Sequence, residues 1–175
     1  RLNDDIYVTG NLGDSFVGLQ ILSGKIKVNN KISKYFIKKY YEPDLQLKFT
    51  NDLLKLANSS IDISDGLIDD LNKMINRQNF SFHIFEEKIP VSKTLNQLIK
   101  IKKFKKIDIT SKGDDYQILF TASPNKSRII NKISKNTGIK ITKIGKIISG
   151  KNRCKVINLE NKQIEAKNIG YIHKF

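Results

Sequence analysis

One cysteine, one methionine, two histidines, three prolines and no tryptophan are spread through 175 residues. The lone Cys154 excludes an internal disulfide and suits a reducing, cytoplasmic compartment. With His83 and His173 as the only imidazoles, a zinc cluster lacks ligands, so any metal here is a hard, oxygen-bound one. No apolar run approaches the roughly 20 residues of a membrane span, and no signal peptide is visible. Nor is there an internal repeat or a long linker, so residues 1–175 read as a single domain with room for a real core. The chain opens on Arg1 rather than Met, almost directly into a strand, which hints at a piece of something longer.

Acidic residues are also scarce, with 17 Asp and Glu against 32 Lys and Arg and a net charge of +15. Such a balance raises a nucleic-acid-binding module as one reading. The charge is nearly all lysine, however, dispersed along the chain where Ile and Asn are also over-used. That pattern fits AT-rich coding better than phosphate recognition, which favours arginine for its bidentate geometry. A positive field also draws in anionic small molecules such as ATP. The densest basic run, Lys100 to Lys106, reads as a solvated helix end favoured by the dipole.

The few acids are concentrated. Ile61-Asp62-Ile63-Ser64-Asp65-Gly66-Leu67, followed by Asp69 and Asp70, holds four carboxylates and a hydroxyl within nine positions. Asp62 and Ser64 alternate with Ile61 and Ile63, as on a half-buried strand. Ser64-Asp65-Gly66 then turns into a helix whose apolar stripe is Leu67, Ile68, Leu71, Met74 and Ile75. Carboxylates and a hydroxyl at such a corner suit magnesium and phosphate, since magnesium takes one or two carboxylates plus substrate phosphates. A plainer reading stands beside it. Ser64 or Asp65 caps the helix, and Asp69 and Asp70 favour its positive end. Capping leaves Asp62, which precedes the turn, without a role.

The rest of the pattern alternates between strands and helices. Residues 5–9 read as a strand, Gly10 to Ser15 as a structural turn and residues 16–22 as a short helix. A helix over 29–42 ends before Pro43, and a core helix ends near Ala57. Phe80 to Phe85 is a strand on which His83 has no carboxylate partner. Residues 92–106 read as one helix, after which Ile107 and Ile109 lead into the polar turn Thr110 to Tyr116. Ile118-Leu119-Phe120 is a buried strand, Ile129 to Ile133 a helix ending at Gly138, and 139–147 and 156–159 are strands. Without strict βαβ alternation, the expectation is an α+β domain, with a largely antiparallel or mixed sheet and helices packed on one side.

Four stretches carry a resemblance. Ile61-Asp62-Ile63-Ser64-Asp65-Gly66-Leu67-x-x-Asp70-Leu71 is similar to the motif of the thiamine-monophosphate kinases, in their C-terminal domain. Asp5-Ile6-Tyr7-Val8-Thr9-Gly10-x-x-Gly13-Asp14-Ser15, Gly113-Asp114-Asp115-Tyr116-x-Ile118-Leu119-Phe120-Thr121 and Gly170-Tyr171-x-His173 agree with it in the same order. The resemblance implies the C-terminal-domain fold of the aminoimidazole-ribonucleotide synthetase (PurM-like) superfamily. It also implies phosphorylation of thiamine monophosphate to thiamine diphosphate by ATP. By position, Asp62 and Asp65 would bind magnesium, Ser64 would contact ATP, and Asp114 and Tyr171 would hold the substrate. No general base is implied, because a phosphate oxygen is already an anionic nucleophile.

This chain departs from the family pattern in several places. Pro-x-Pro-Arg is here Pro43-Asp44-Leu45-Gln46, and Gly-Glu-Asp-Tyr-Glu has Asp114 and Gln117 at its acidic ends. Lys174 is inserted before Phe175. The family's N-terminal domain, which supplies most metal ligands, much of the ATP site and the homodimer contact, is absent from these residues. The isolated chain is therefore expected to be inactive and monomeric. A sister ATP-using enzyme, such as selenophosphate synthetase or a hydrogenase-maturation dehydratase, and a non-enzymatic remnant are the other readings.

Overall fold

The computed structural model describes residues 1–75, 78–151 and 154–164. In chain order the elements are β1 (Asp5–Thr9), α1 (Asp14–Leu22), α2 (Asn30–Tyr41), α3 (Thr50–Leu56), β2 (Ser59–Asp62), α4 (Leu67–Ile75) and β3 (Phe80–Phe85). They continue with α5 (Lys93–Lys102), α6 (Lys106–Thr110), β4 (Ile118–Ala122), α7 (Ser127–Thr137), β5 (Ile141–Ser149), β6 (Lys155–Ile157) and β7 (Gln163–Ile164). Among the described residues seven strands form one sheet, in the order β2-β4-β1-β5-β3-β6-β7. Every pairing is antiparallel except β3 with β6. The expected α+β class with a largely antiparallel, mixed sheet is what the chain adopts.

The helices do not lie on one side, as the sequence suggested. All five residues of β1 are buried, because this central strand is covered on both faces. Ile6 and Val8 point into a cluster with Leu67, Ile68 and Leu71 of α4 and with Phe82, Ile84, Leu119, Ile144 and Ile147. Tyr7 points the other way, stacked on Phe120 at 5.3 Å between centroids, with Leu56 of α3 and Ile130 of α7. Period-two alternation supplies both faces from one strand. Each fully buried Leu or Phe contributes roughly 1.5–3 kcal/mol. A third cluster, Val17, Phe36, Leu95, Leu98 and Ile109, holds α1, α2, α5 and α6 together.

Three helix ends carry caps that the sequence shows. Asn29 accepts from Ile32 N at 3.0 Å, Ser92 from Leu95 N at 3.0 Å, and Gly138 ends α7 at φ 70°. The region expected as one helix over 92–106 is split. Lys103 turns left-handed at φ 53° to end α5, and α6 follows. The break lets Ile107 reach the α4 cluster while Ile109 reaches the third one, which a continuous α5 could not do. Lys106, read from sequence as part of a solvated basic run, donates instead to the carbonyls of Glu86, Glu87 and Ile89 at 2.8, 3.2 and 3.2 Å. Burial pulls its ammonium below the usual lysine range despite the nearby glutamates.

Candidate functional site

The acidic corner lies where β2 hands over to α4. Asp62 is the exposed last residue of β2, while Ile63 behind it is buried. The turn that follows is fixed from inside the helix. One oxygen of Asp70, Oδ2, accepts the N–H groups of Ser64, Asp65 and Gly66 at 3.0, 2.9 and 3.0 Å. Asp70 is buried. The capping reading therefore applies, but to Asp70 rather than to Ser64 or Asp65.

The segment Ser111 to Gln117 packs on this corner backbone to backbone. Asp114 N donates to Ser64 O, Tyr116 N to Ile63 O, and Ile63 N to Gln117 O, each at 2.9 Å. These bonds extend the β2–β4 ladder, in which Asp62 faces Ile118. Two glycines make the approach possible. A Cβ at Gly66 (φ +127°) would lie 2.3 Å from Ser111 O, and one at Gly113 (φ +84°) would lie 2.2 Å from Ser64 O. Two motifs some fifty positions apart in the chain are thus zipped into one unit.

Alternation along that segment sorts its side chains. Asp115 and Gln117 are buried, whereas Asp114 is half-buried and Tyr116 exposed. Asp114 and Tyr116 both take left-handed backbone, at φ 60° and 49°, a conformation that non-glycine residues adopt at a cost and that gathers at binding sites. Sequence reasoning did not single out Tyr116. Its place between Asp114 and the inward Gln117 in an alternating strand mouth is the signal that could have found it.

The carboxylates sense one another. Burial, and then the charge of Asp65, push the Asp114 carboxyl above its ordinary range. Carboxylate oxygens of Asp65, Asp69 and Asp70 lie within 4.8 Å of one another, and Lys73 sits among them. Its Nζ is 2.9 Å from Asp69 and 2.9 Å from Asp70 Oδ1, and it also pairs with Asp65. Partial burial disfavours the Lys73 charge, but the hydrogen bonds to Asp65, Asp69 and Asp70 outweigh it and raise the pKa. Lys73 was missed from sequence, though its spacing of three and four residues from Asp70 and Asp69 is the ion-pair spacing of a helix. Asp62 is not in this cluster. The donor set at the corner is all oxygen, which suits a hard cation such as magnesium.

A second acidic group lies under the Gly10–Ser15 turn. Asp115 is fully buried, accepts Gly13 N at 2.7 Å, and has its carboxyl pushed up to about 8. Burial is the main cause; the Gly13 bond opposes it and the charge of Asp14 adds to it. Asp14 accepts from Ser92 Oγ at 2.7 Å and Tyr35 OH at 2.8 Å, and burial raises it too. They border a polar cleft of about 70 Å³ that Lys39, Asp44 and Gln117 also line. The turn read from sequence over Gly10 to Ser15 spans Gly10 to Gly13, and α1 already begins at Asp14. Tyr171, the other expected substrate residue, lies outside the described residues, as does His173.

Residues 3–157 match the family described as AIR synthase related protein, C-terminal domain. The chain belongs to that family. A relative of the AIR synthase C-terminal domain family, the thiamine-monophosphate kinase of Buchnera aphidicola subsp. Schizaphis graminum, is 37% identical over 171 residues, 97% of this chain and 52% of that protein. A solved structure described as AaThiL complexed with AMPPCP and TMP superposes with a TM-score of 0.77 at 30% identity, over 98% of this chain and 52% of that one. The hydrogenase maturation protein HypE of E. coli shares the fold alone, with a TM-score of 0.67 at 12% identity, over 97% and 50% of the two chains. The chain spans about half the length of the curated relatives it matches. Among the described residues no helix is long and apolar enough to cross a membrane.

Proposed function

We propose that this chain is the C-terminal domain of a cytoplasmic thiamine-monophosphate kinase. In that reaction a phosphate oxygen of thiamine monophosphate attacks the γ-phosphorus of ATP in line. The bond from γ-phosphorus to the β-bridging oxygen breaks, ADP leaves, and thiamine diphosphate is formed. No proton need be removed from the nucleophile, so the protein is asked for positioning and charge neutralisation. The observation that supports this best is the zipped corner, which brings Ser64 and Asp65 beside Asp114, with Asp62 at the end of the strand that leads into it.

In this reading Asp62 and Asp65 would hold magnesium, with Asp65 released from Lys73, and the metal would supply neutralising charge to the phosphates. Ser64 contacts ATP. Asp114 and Tyr171 hold thiamine monophosphate. Asp114 is one methylene shorter than the family's glutamate, so its reach is shorter or bridged by water. Lys73 keeps the acids paired until ligands arrive. An N-terminal domain would supply the remaining metal ligands, most of the ATP site and the homodimer contact. The chain alone is then catalytically silent and monomeric.

The test joins the chain to its natural upstream half and follows thiamine diphosphate formation from ATP, magnesium and thiamine monophosphate. Product from the joined protein, with none from residues 1–175 alone, supports the reading. Turnover by the isolated chain overturns the two-half account. ATP consumption with no thiamine diphosphate, but with another acceptor, moves the assignment to a sister enzyme of the same fold.

A further inference from the structure

A cavity of about 340 Å³ opens beside the third core cluster, where the end of α1 meets the α5–α6 break. Phe16 and Gln20, one turn apart on α1, form one wall. The chain then doubles back on that wall. The N–H groups of Lys25 and Ile26 both donate to Gln20 O, at 2.9 and 3.1 Å, and both residues line the cavity. A second reversal supplies the rest. Lys103 turns left-handed, Phe104 N donates to Ile99 O at 3.1 Å, and α6 starts after Lys105. Phe104, Lys105 and Ile109 of α6 complete this side. Main-chain bonds fix both reversals, so the cavity is formed in advance, as most small-molecule sites are.

The lining combines two kinds of surface. Phe16, Ile26, Phe104 and Ile109 are apolar, and the first three are only half-buried against the third cluster. Neither phenylalanine ring contacts another described aromatic ring, and a flat ring is the shape that packs on such faces. The charge around them is mainly of one sign, with Lys25, Lys105 and Lys112 against Asp108. Lys25 and Lys105 are exposed and enter no ion pair among the described residues. An apolar floor with unpaired cations at its edge complements an apolar body that carries an anionic head. Lysine, a compact charge on a flexible stem, meets a carboxylate or a phosphate alike. We propose that this cavity is a binding site for a small aromatic anion, with its ring on Phe16 and Phe104 and its head group held by Lys25 and Lys105. The volume of about 340 Å³ stands at the small end of ligand cavities, roughly 300–1,000 Å³, and suits a body of one or two rings. The inference is independent of the kinase reading, since it uses none of Asp62, Ser64, Asp65 or Asp114.

The experiment titrates the chain with naphthoate and follows its amide spectrum, in about 150 mM salt so that the dispersed lysines are screened. Saturable shifts gathered at residues 16–26 and 104–112 are expected, with a Kd of about 1 mM or tighter. Naphthyl phosphate should shift the same residues, and the tighter of the two distinguishes a carboxylate from a phosphate ligand. Naphthylmethylammonium, with the same ring and the opposite charge, should bind at least about tenfold more weakly than the better anion. Replacing both edge lysines, Lys25→Glu with Lys105→Glu, should weaken both anions at least about tenfold. Both lysines are exposed, and the amide spectrum of the variant shows directly that it is folded. The ammonium arm needs no variant at all. Ammonium binding equal to that of the anions would overturn the proposal. So would shifts that spread over the surface lysines without saturating, or parent-like binding of both anions by the folded double variant.

Discussion

Single carboxylates here have divided tasks, and burial separates them. Asp70 spends one oxygen on three backbone donors and the other on Lys73. Asp70→Ala should cost about 3 kcal/mol in a urea melt, because the donors of a buried turn lose their shared acceptor. Asp70→Asn, which keeps one acceptor oxygen, should cost less. Asp115 gives the opposite kind of effect. Its folded pKa of about 8 stands above the ordinary value of 3.8, so the folded state binds more protons than the unfolded state between those limits. Stability from this group therefore falls as pH rises from about 4 to about 8. Asp115→Asn should keep the Gly13 bond and flatten that decline; an unchanged slope would show that Asp115 ionises freely. From sequence the concentration of acids at 62–70 was legible, but not their division of labour. Asp70 was one acid of four in a helix start, and nothing in the spacing says that the chain would fold its turn back onto it.

At the scale of elements, the packing of residues 111–117 against the corner depends on two glycines. Gly113→Ala should cost at least about 2 kcal/mol, through left-handed backbone and a contact with Ser64 O that cannot relax. It should also loosen Asp114 against the corner, which amide exchange at Asp114 and Tyr116 would report as faster. Exchange unchanged from the parent would mean that the two motifs are not held through this contact. Strands and most helices were legible because each carries one clear period or cap: β1 alternates, Asn29 and Ser92 start helices, and Gly138 ends one. The coverage of both sheet faces was not legible. Alternation tells which residues share a face, but not that both faces of β1 are apolar enough to demand helices. The α5–α6 break was hidden for a similar reason, since a lysine-rich stretch reads as solvated helix until the separate destinations of Ile107 and Ile109 are known.

For the whole molecule, we read the strong positive charge as a background. Part of it is structural, as Lys73 and Lys106 show, each spent on acceptors within the fold. Binding to double-stranded DNA at 150 mM salt should therefore be weak and without sequence preference; a steep salt slope together with tight binding would favour a nucleic-acid module instead. The family was legible because two of its motifs, Ile61 to Leu71 and Gly113 to Thr121, lie on the backbone unit that forms the corner. The N-terminal half that the proposal calls for rests on the resemblance, and no spacing within this chain points to it. We propose that one zipped corner divides its work between metal-bound phosphates and the acceptor substrate. The most direct test is steady-state kinetics of the joined two-half protein carrying Asp62→Asn, Asp65→Asn or Asp114→Asn, with magnesium and thiamine monophosphate varied separately. The account predicts a loss of at least about tenfold in kcat/KM for each. For Asp62→Asn and Asp65→Asn the loss should be partly relieved by excess magnesium, and for Asp114→Asn it should appear in the KM for thiamine monophosphate. Parent-like kinetics in all three variants would contradict it.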